Sequence, residues 1–229
     1  MDLSPQTRHW TRHIIHRSVR TRTTWRFRLG LLALLLLMAW STRGWWSVAV
    51  AESLVCDANA APSDAILVEN FDVDYLTFET AARLRRAGVA PRVLVPVAAA
   101  GDPLQPKGVQ LGVTELLANL AHLGSIEVVP IREVEPISLN AAADVRRFME
   151  QAQIRSVVVV SPLFRSERSA QVYEATLGAG GIAVGCAPAQ SLQDPYTWTS
   201  SLHGIQNVAE QWVKLQYYRL YVLPFKTRL

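Results

Sequence analysis

Cysteine and charge are both scarce in this sequence. Two cysteines among 229 residues are too few for a disulfide framework or a thiolate metal site. Charged residues make up 18% of the chain and apolar residues 50%, which excludes a mainly disordered protein. The chain also lacks a Walker loop, a G-x-G-x-x-G turn, a nucleophile elbow and an H-E-x-x-H pair. The sequence therefore predicts no metal site and names no cofactor.

The positive charge of the chain is confined to its start. The formal net charge is +4, and residues 1–28 contain seven arginines against one acid, Asp2. Without them, the 23 basic and 19 acidic side chains of the whole sequence fall to 16 and 18. The remaining 201 residues are thus mildly acidic, and no nucleic-acid partner is expected.

An apolar segment follows this basic leader. Residues 29–51 contain one charge, Arg43, and as a helix would rise about 34 Å, enough to cross a hydrocarbon core of about 30 Å. Trp40, Trp45 and Trp46 suit an interfacial aromatic belt. We therefore predict one transmembrane anchor over 29–51, with the leader 1–28 in the cytoplasm. The domain would then lie in the periplasm or at the outer cell face.

Two alternatives to the anchor remain open at this point. Ala49, Val50 and Ala51 form an A-x-A signature, so the segment could be a signal peptide that is cleaved after Ala51. The leucine run could also be a buried core helix, which would leave the arginine cluster unexplained. The anchor and the signal peptide both predict an exported domain.

The rest of the chain has the pattern of an α/β domain. Residues 52–63 are predicted to form a polar linker, and residues 64–229 a Rossmann-like three-layer domain with a mainly parallel sheet. The predicted strands are Ala65–Val68, Arg92–Val97, Ile126–Ile131, Ser156–Ser161 and Ile182–Gly185. The predicted helices are Asp74–Ala87, Val113–Leu123, one capped by Ser138, Glu167–Leu177, and a last one from about Ser200 with Ile205, Val208, Trp212 and Leu215 inward.

Candidate site residues follow the strands. Ligands of an open parallel sheet bind beyond the carboxyl ends of its strands, so we take the polar side chains of those loops as candidates. These are Glu69, Asn70, Asp72, Asp74, Arg132, Glu133, Glu135, Ser138, Asn140, Ser161, Arg165, Arg168, Asp194, Trp198 and His203. Asp72, Asp74 and Ser138 could instead be helix caps. Arg165 and Arg168, at a helix start, could clamp a phosphate or carboxylate.

Several short motifs, in order, resemble the bacterial YdcF, SanA and ElyC family of domains of unknown function. They are D-A-I-L-V at 64–68, A-x-x-L-x-x-A-G-V-A-P-R-V-L-V at 81–95, Glu115, E-P-I-S-L-N at 135–140, V-V-V-V-S-P-L-F-R-S-E-R-S-A at 157–170 and K-L-Q-Y-Y-R at 214–219. The resemblance covers about residues 44–222. It implies a Rossmann-like domain, anchored or soluble, with a role in cell-envelope and peptidoglycan integrity. It also implies polar pocket residues at Glu115, Glu135, Ser138, Asn140 and Arg168.

Departures from the family pattern narrow the range of ligands that we expect this chain to bind. The family's glycine-rich turn after the first strand is Glu69, Asn70 and Phe71 here, and its usual histidine is Arg165. A carboxylate in that turn would repel a phosphate brought close to the backbone. The S-adenosylmethionine binding associated with YdcF is therefore not expected in this chain. Without the histidine, anion binding is favoured over proton transfer.

Three functions remain as hypotheses. The first is a cell-envelope domain that binds a small anionic or sugar-phosphate ligand through Arg165 and Arg168, oriented by Glu115, Glu135 and Asn140. The second is a hydrolase or transferase of an envelope precursor, with Glu69 and Glu135 as acid, base or metal ligands. The third is a scaffold for envelope proteins whose last helix docks a membrane partner through Trp212, Tyr217, Tyr218 and Tyr221.

The pairing of the two cysteines is left open by the sequence. An exported compartment would permit a disulfide between Cys56 and Cys186. The predicted strands, however, place the two residues at opposite ends of the sheet, and a bridge needs Cα atoms within about 7 Å.

Overall fold

The computed structural model describes residues 24–72, 74–99, 107–132 and 134–226. Most of the predicted leader, residues 1–23, lies outside these ranges. The chain divides into two units, residues 1–43 and 44–229, which are described separately.

The first unit contains helix α1 (Trp25–Ser41), whose side chains are exposed along its whole length. The prediction of one continuous helix over 29–51 is wrong, because α1 ends at Ser41 and α2 (Arg43–Glu52) begins after Thr42. The hydroxyls of Ser41 and Thr42 both donate to the carbonyl of Met38, and such side-chain bonds compete with the helical ladder. Among the described residues no single helix is long and apolar enough to cross a bilayer, whereas α1 and α2 meet that test together as a bent pair.

The second unit is built on a five-stranded parallel sheet. Its strands are β1 (Ala65–Val68), β2 (Arg92–Ala98), β3 (Glu127–Ile131), β4 (Ser156–Ser161) and β5 (Ala183–Pro188). The strand order is β3-β2-β1-β4-β5, with Leu67 opposite both Leu94 and Val159. The order 3-2-1-4-5 is that of a Rossmann fold, so the predicted fold class is confirmed for the α/β domain.

Helices cover both faces of the sheet. They are α3 (Tyr75–Arg86), α4 (Lys107–Leu120), α5 (Ile137–Gln151), α6 (Ser166–Leu177), α7 (Leu202–Tyr217) and, after a π-helical turn at Tyr218–Val222, α8 (Leu223–Lys226). Ala65 and Leu67 pack into one core with α5 and α6, and Ile66 and Val68 pack into the other with α3 and α4. A strand covered on both faces is apolar throughout, and the valine run of β4 follows from this.

Several predicted boundaries are corrected. Helix α4 begins at Lys107 and ends at Leu120, earlier than the predicted 113–123. Asp74 caps α3 by accepting from the backbone N–H of Leu76, as predicted. Ser138 is not a cap, because Pro136 occupies the cap position and Ser138 lies inside α5.

The inward face of helix α7 is rotated from the predicted one, since Val208 and Leu215 are buried as predicted but Ile205 and Trp212 are not. Gly204, Val208, Gln211 and Leu215 are buried, whereas Ile205 and Trp212 are exposed. The reason is that the backbone of α7 at Gly204 lies very close to Trp198. A Cβ atom at Gly204 would lie 2.2 Å from the carbonyl oxygen of Trp198. Only glycine allows that approach.

The predicted linker is bound to the domain. Leu54 is buried, and its carbonyl accepts from the backbone N–H of Glu167. The backbone N–H of Asn59 donates to the carbonyl of Cys186, whose own N–H donates to Oδ1 of Asn59. Residues 54–59 therefore pack against the start of α6 and the edge strand β5.

Cys56 and Cys186 form a disulfide, with Cα atoms 6.5 Å apart. The expectation that they lie at opposite ends of the sheet is wrong for two reasons. Strand β5 continues past the predicted end at Gly185 to Pro188, and the segment before β1 lies beside β5.

Candidate functional site

The candidate site lies at the carboxyl ends of β1 and β4, the two central strands. The chain leaves β1 toward β2 on one side of the sheet and leaves β4 toward β5 on the other. Such a switch point is where ligands bind in this fold. Glu69 follows β1, Ser161 ends β4, and a short 3-10 turn carries the chain through Arg165 into α6.

A buried carboxylate forms the base of this site. Glu69 is 1% exposed, and the hydroxyl of Ser169, on the first turn of α6, donates to its Oε2 at 2.7 Å. Its Oε1 is buried without a partner. A carboxylate is rarely buried unless it is paired. The positive charges nearby are those of Arg165 and Arg168.

Arg168 reaches across the site to two other helices. Its Nη1 donates to Oγ of Ser138 on α5 at 3.2 Å, and its Nη2 donates to Oε1 of Gln211 on α7 at 3.1 Å. The guanidinium lies 5.3 Å from the ring centroid of Tyr218, within the range of a cation–π contact. Burial lowers the pKa of Arg168, and the charge of Glu69 opposes that shift.

Arg165 holds its guanidinium close to the same point. One amino group, Nη2, donates to Oδ2 of the exposed Asp72. The side chain is 93% buried, and its Nε and Nη1 have no partner. Two of the three nitrogens of a buried cation are thus free to donate.

Partnerless buried polar atoms concentrate at this site. Within the described ranges, six buried side-chain atoms have no hydrogen-bond partner: Glu69 Oε1, Ser161 Oγ, Arg165 Nε and Nη1, Arg168 Nε and Tyr173 Oη. We call these five residues the switch-point cluster. Native proteins satisfy nearly all such atoms, and six unsatisfied atoms in one cluster are typical of a site that a ligand or ordered water completes.

Tyr173 contributes a permanent donor to the switch-point cluster. Its side chain is fully buried on α6. Burial and the negative charge of Glu69 raise the pKa of its phenol well above the ordinary value of 10. The hydroxyl therefore stays protonated at neutral pH.

A cavity of about 340 Å³ opens beside the switch-point cluster. Arg165, Arg168, Glu135 and Ser138 line it, together with Tyr218 and Lys214 from the C-terminal region. With Asp72, five predicted site residues thus converge on one concave space, which is large enough for a small ligand.

A second cavity, of about 630 Å³, lies on the other side of Arg165. Asp72 and Arg165 line both cavities. The second is rich in amide side chains, contributed by Gln190, Gln193, Gln206, Asn207 and Gln211. Each amide offers both donors and an acceptor, and the carboxylates of Asp72, Asp74 and Glu210 line the same cavity. The cavity therefore suits a polar group that carries no negative charge.

Several predicted site residues lie elsewhere. Arg132 pairs with Asp144, Asp194 accepts from the backbone N–H of Thr197, and Trp198 packs in a hydrophobic cluster. Glu133 lies outside the described residues.

Glu115 is exposed on α4 and lines neither of these cavities. The amide of Asn70 donates to Oγ1 of Thr114 and so ties the loop after β1 to α4. The amide of Asn140 donates to the carbonyl of Val134 at 2.8 Å and supports the loop before α5. Glu115 thus lies apart from these cavities, whereas Asn140 lines a separate cavity of about 510 Å³ together with Glu135.

The two glutamates of the enzyme hypothesis do not share a cavity. Glu135 lines the 340 Å³ cavity, whereas Glu69 is buried beneath it and bonded to Ser169. Among the described residues, no group of three or more His, Cys, Asp or Glu side chains is placed to hold a metal ion.

Sequence reasoning missed four residues of the site. Ser169 and Tyr173 lie on α6, where they read as ordinary helix residues. Gln211 had a usable signal, since it is the one long polar side chain at the helical spacing of Val208, Leu215 and the buried Tyr218. Tyr218 was expected to be exposed for docking, but it packs against Arg168 and is buried.

No protein-family model, no curated protein and no solved structure matches this chain. The fold and the site geometry therefore carry the functional argument.

Proposed function

We propose that this chain is a membrane-anchored, exported domain of the YdcF, SanA and ElyC type that binds a small phosphate-bearing ligand at the switch-point cluster. The observation that carries the proposal is the set of six partnerless buried atoms at one point of the sheet. Arg165 and Arg168 supply three of those atoms, all donors, and Tyr173 supplies a fourth group that stays protonated. Charge-assisted donors of this kind suit phosphate oxygens.

An anion must be held here by hydrogen-bond donors that belong to the site itself. Outside the leader the chain is mildly acidic, so its overall field does not attract anions. Asp72 and Glu69 already offset part of the charge of the arginines. In this proposal the ligand is held by directed hydrogen bonds from Arg165 and Arg168, and Lys214 adds a third cation at the cavity wall.

The amide-lined cavity supports a sugar phosphate over free phosphate. It shares the lining residues Asp72 and Arg165 with the 340 Å³ cavity, and in this proposal one ligand reaches from one cavity into the other. The phosphate would lie between the arginines and the sugar hydroxyls against the amides. For an exported domain that binds such a ligand, we propose a role in envelope biogenesis.

Two features of the domain support export with an uncleaved anchor. The disulfide between Cys56 and Cys186 suits an oxidising compartment. The indole N–H of the buried Trp198 donates to the carbonyl of Ser47, and Ala51 is fully buried. Cleavage after Ala51 would remove both residues from the folded domain, which disfavours the signal-peptide alternative. Because both residues belong to the domain, the proposed membrane segment ends before Ser47 and is shorter than the predicted 29–51.

Calorimetry on the full-length protein in nanodiscs tests the proposed ligand class. We expect glucose 1-phosphate to bind more tightly than inorganic phosphate, and glucose alone to bind most weakly. Arg165→Lys should weaken both phosphate compounds about tenfold or more, because lysine cannot supply the guanidinium donors. Arg146→Lys, at a half-exposed pair with Glu150, is the matched control and should bind as the wild type does. Binding that is absent, or equal in wild type and Arg165→Lys, would contradict the proposal.

A further inference from the structure

The outward face of α7 and the π-helical turn carries an uncharged stripe of apolar side chains, interrupted by Gln206 and Gln216. The stripe consists of Leu202, Ile205, Trp212, Val213, Tyr217 and Leu220, whose side chains are all exposed. Val213 and Leu220 are 62% and 71% exposed. The stripe extends over 19 residues, about 27 Å along a helix. Isolated surface hydrophobics need no explanation, but a contiguous exposed patch marks an interaction surface.

The nearest charges on α7 lie outside this stripe. Glu210 and Lys214 pair with each other, and Arg219 pairs with Glu167 on α6. The stripe continues into stacked aromatic rings, since the ring centroids of Tyr217 and Tyr221 lie 5.5 Å apart and those of Tyr221 and Phe225 6.0 Å apart. This composition, rich in Trp and Tyr and free of charge, is typical of a surface at the headgroup level of a bilayer.

The opposite face of α7 packs beside the entry of the chain into the domain. Val208 and Leu215 share a hydrophobic cluster with Ala51 and Leu54, at the end of α2 and just beyond it. The first buried residue of the domain, Ser47, is only six positions after the last residue of α1. Five intervening residues can span at most about 20 Å. A domain whose chain emerges from a proposed membrane helix on so short a tether stays within reach of the bilayer.

We propose that the apolar stripe of α7 lies in the outer interface of the bilayer and so fixes the orientation of the domain on the membrane. The occupant is lipid, because the stripe carries the residues that prefer the interface and belongs to a helix that packs on α2. This inference rests on the proposed anchor but not on the proposed ligand.

Depth-dependent fluorescence quenching in proteoliposomes tests this placement. The two native cysteines are joined, so one added cysteine provides the only free thiol for an environment-sensitive fluorophore. Val213→Cys and Leu220→Cys report on the stripe, and His203→Cys, exposed on another face of α7, is the matched control. A fourth variant, Leu32→Cys, reports on α1. Each full-length variant is reconstituted in phosphatidylcholine vesicles that carry a quencher on the acyl chain.

We expect at least threefold stronger quenching at positions 213 and 220 than at position 203, and the strongest quenching at position 32. Quenching at position 32 with equal, weak quenching at 213 and 203 would overturn the inference and leave the anchor standing. Absence of quenching at position 32 would overturn the anchor, and the inference with it. A blue-shifted label at 213 that lipid does not quench would assign the stripe to a protein partner or a second copy and would also overturn the inference.

Discussion

Glu69 is the residue that most constrains the account of the site. It replaces a glycine expected from the resemblance, and in the structure it is buried with its negative charge acting on Arg168. A single side chain thus offsets the charge of a buried arginine and opposes the binding of an anion nearby.

Glu69→Gln should therefore move stability and affinity in opposite directions. Removing a buried charge partner is expected to lower the free energy of unfolding by roughly 3 kcal/mol. The same change should strengthen the binding of inorganic phosphate several-fold, because it removes a nearby like charge. Urea unfolding and phosphate calorimetry measure the two effects. Glu115→Gln, at an exposed position, should change neither, and a Glu69→Gln protein with weaker phosphate binding would contradict the account.

Asp144 makes the domain sensitive to acid. Its carboxylate accepts from the backbone N–H and the guanidinium of Arg132, at 2.8 and 2.9 Å, and also pairs with Arg147. Burial acts to raise the pKa of Asp144, but these hydrogen bonds and the charge of Arg132 outweigh it, and the pKa lies below its ordinary value of 3.8. A carboxyl group with a lowered folded pKa stabilises the protein above its unfolded pKa and loses that contribution as pH falls through the folded pKa.

We accordingly expect the free energy of unfolding to fall between about pH 5 and pH 2, and to fall less steeply in Asp144→Asn. Chemical denaturation at a series of pH values measures the slope. The exposed Asp57 provides the control, since Asp57→Asn should leave the wild-type slope unchanged. Equal slopes in wild type and Asp144→Asn would show that the Asp144 pairs add nothing to acid stability.

At the scale of elements, the packing of α7 depends on a contact that only glycine permits. A Cβ atom at Gly204 would lie 2.2 Å from the carbonyl oxygen of Trp198 and 2.7 Å from Oε1 of Gln193. Gly204→Ala is expected to destabilise the domain by about 1 to 3 kcal/mol, because the backbone must move. Gly178→Ala, which has open space around its Cβ position, is the matched control and should be neutral or slightly stabilising. Thermal unfolding compares the two, and equal midpoints would refute the packing argument.

The α/β elements could be predicted because their signals are local. The valine run of β4 and the other short apolar strands are typical of a parallel sheet that is buried on both faces. Once the fold was predicted, the polar loops after β1 and β4 could be identified as candidate site segments. Five residues that line the 340 Å³ cavity were identified from the polar segments after β1, β3 and β4.

Long-range contacts account for what the sequence did not reveal. The rotation of α7 depends on the position of Trp198, and the roles of Gln211 and Tyr218 depend on Arg168 being opposite them. The cysteine pairing depends on residues 54–59 turning back beside β5. None of these contacts leaves a periodic pattern in the sequence.

At the scale of the whole molecule, the disulfide joins the start of the domain to its last strand. It closes a separation of 130 residues, and removing such a crosslink typically costs 2 to 5 kcal/mol. The Cys56→Ser, Cys186→Ser double variant should unfold at lower urea concentration than the wild type. Adding a reductant should destabilise the wild type and leave the double variant unchanged. A wild-type midpoint that is insensitive to reductant would contradict a stabilising role for this disulfide.

A crystal structure of the protein grown with tungstate, a phosphate analogue with a strong anomalous signal, tests whether the switch-point cluster is an anion site. We expect an anomalous peak within hydrogen-bonding distance of the free nitrogens of Arg165 and Arg168. A well-ordered structure with no peak at that position, and with both arginines paired to other side chains, would contradict it.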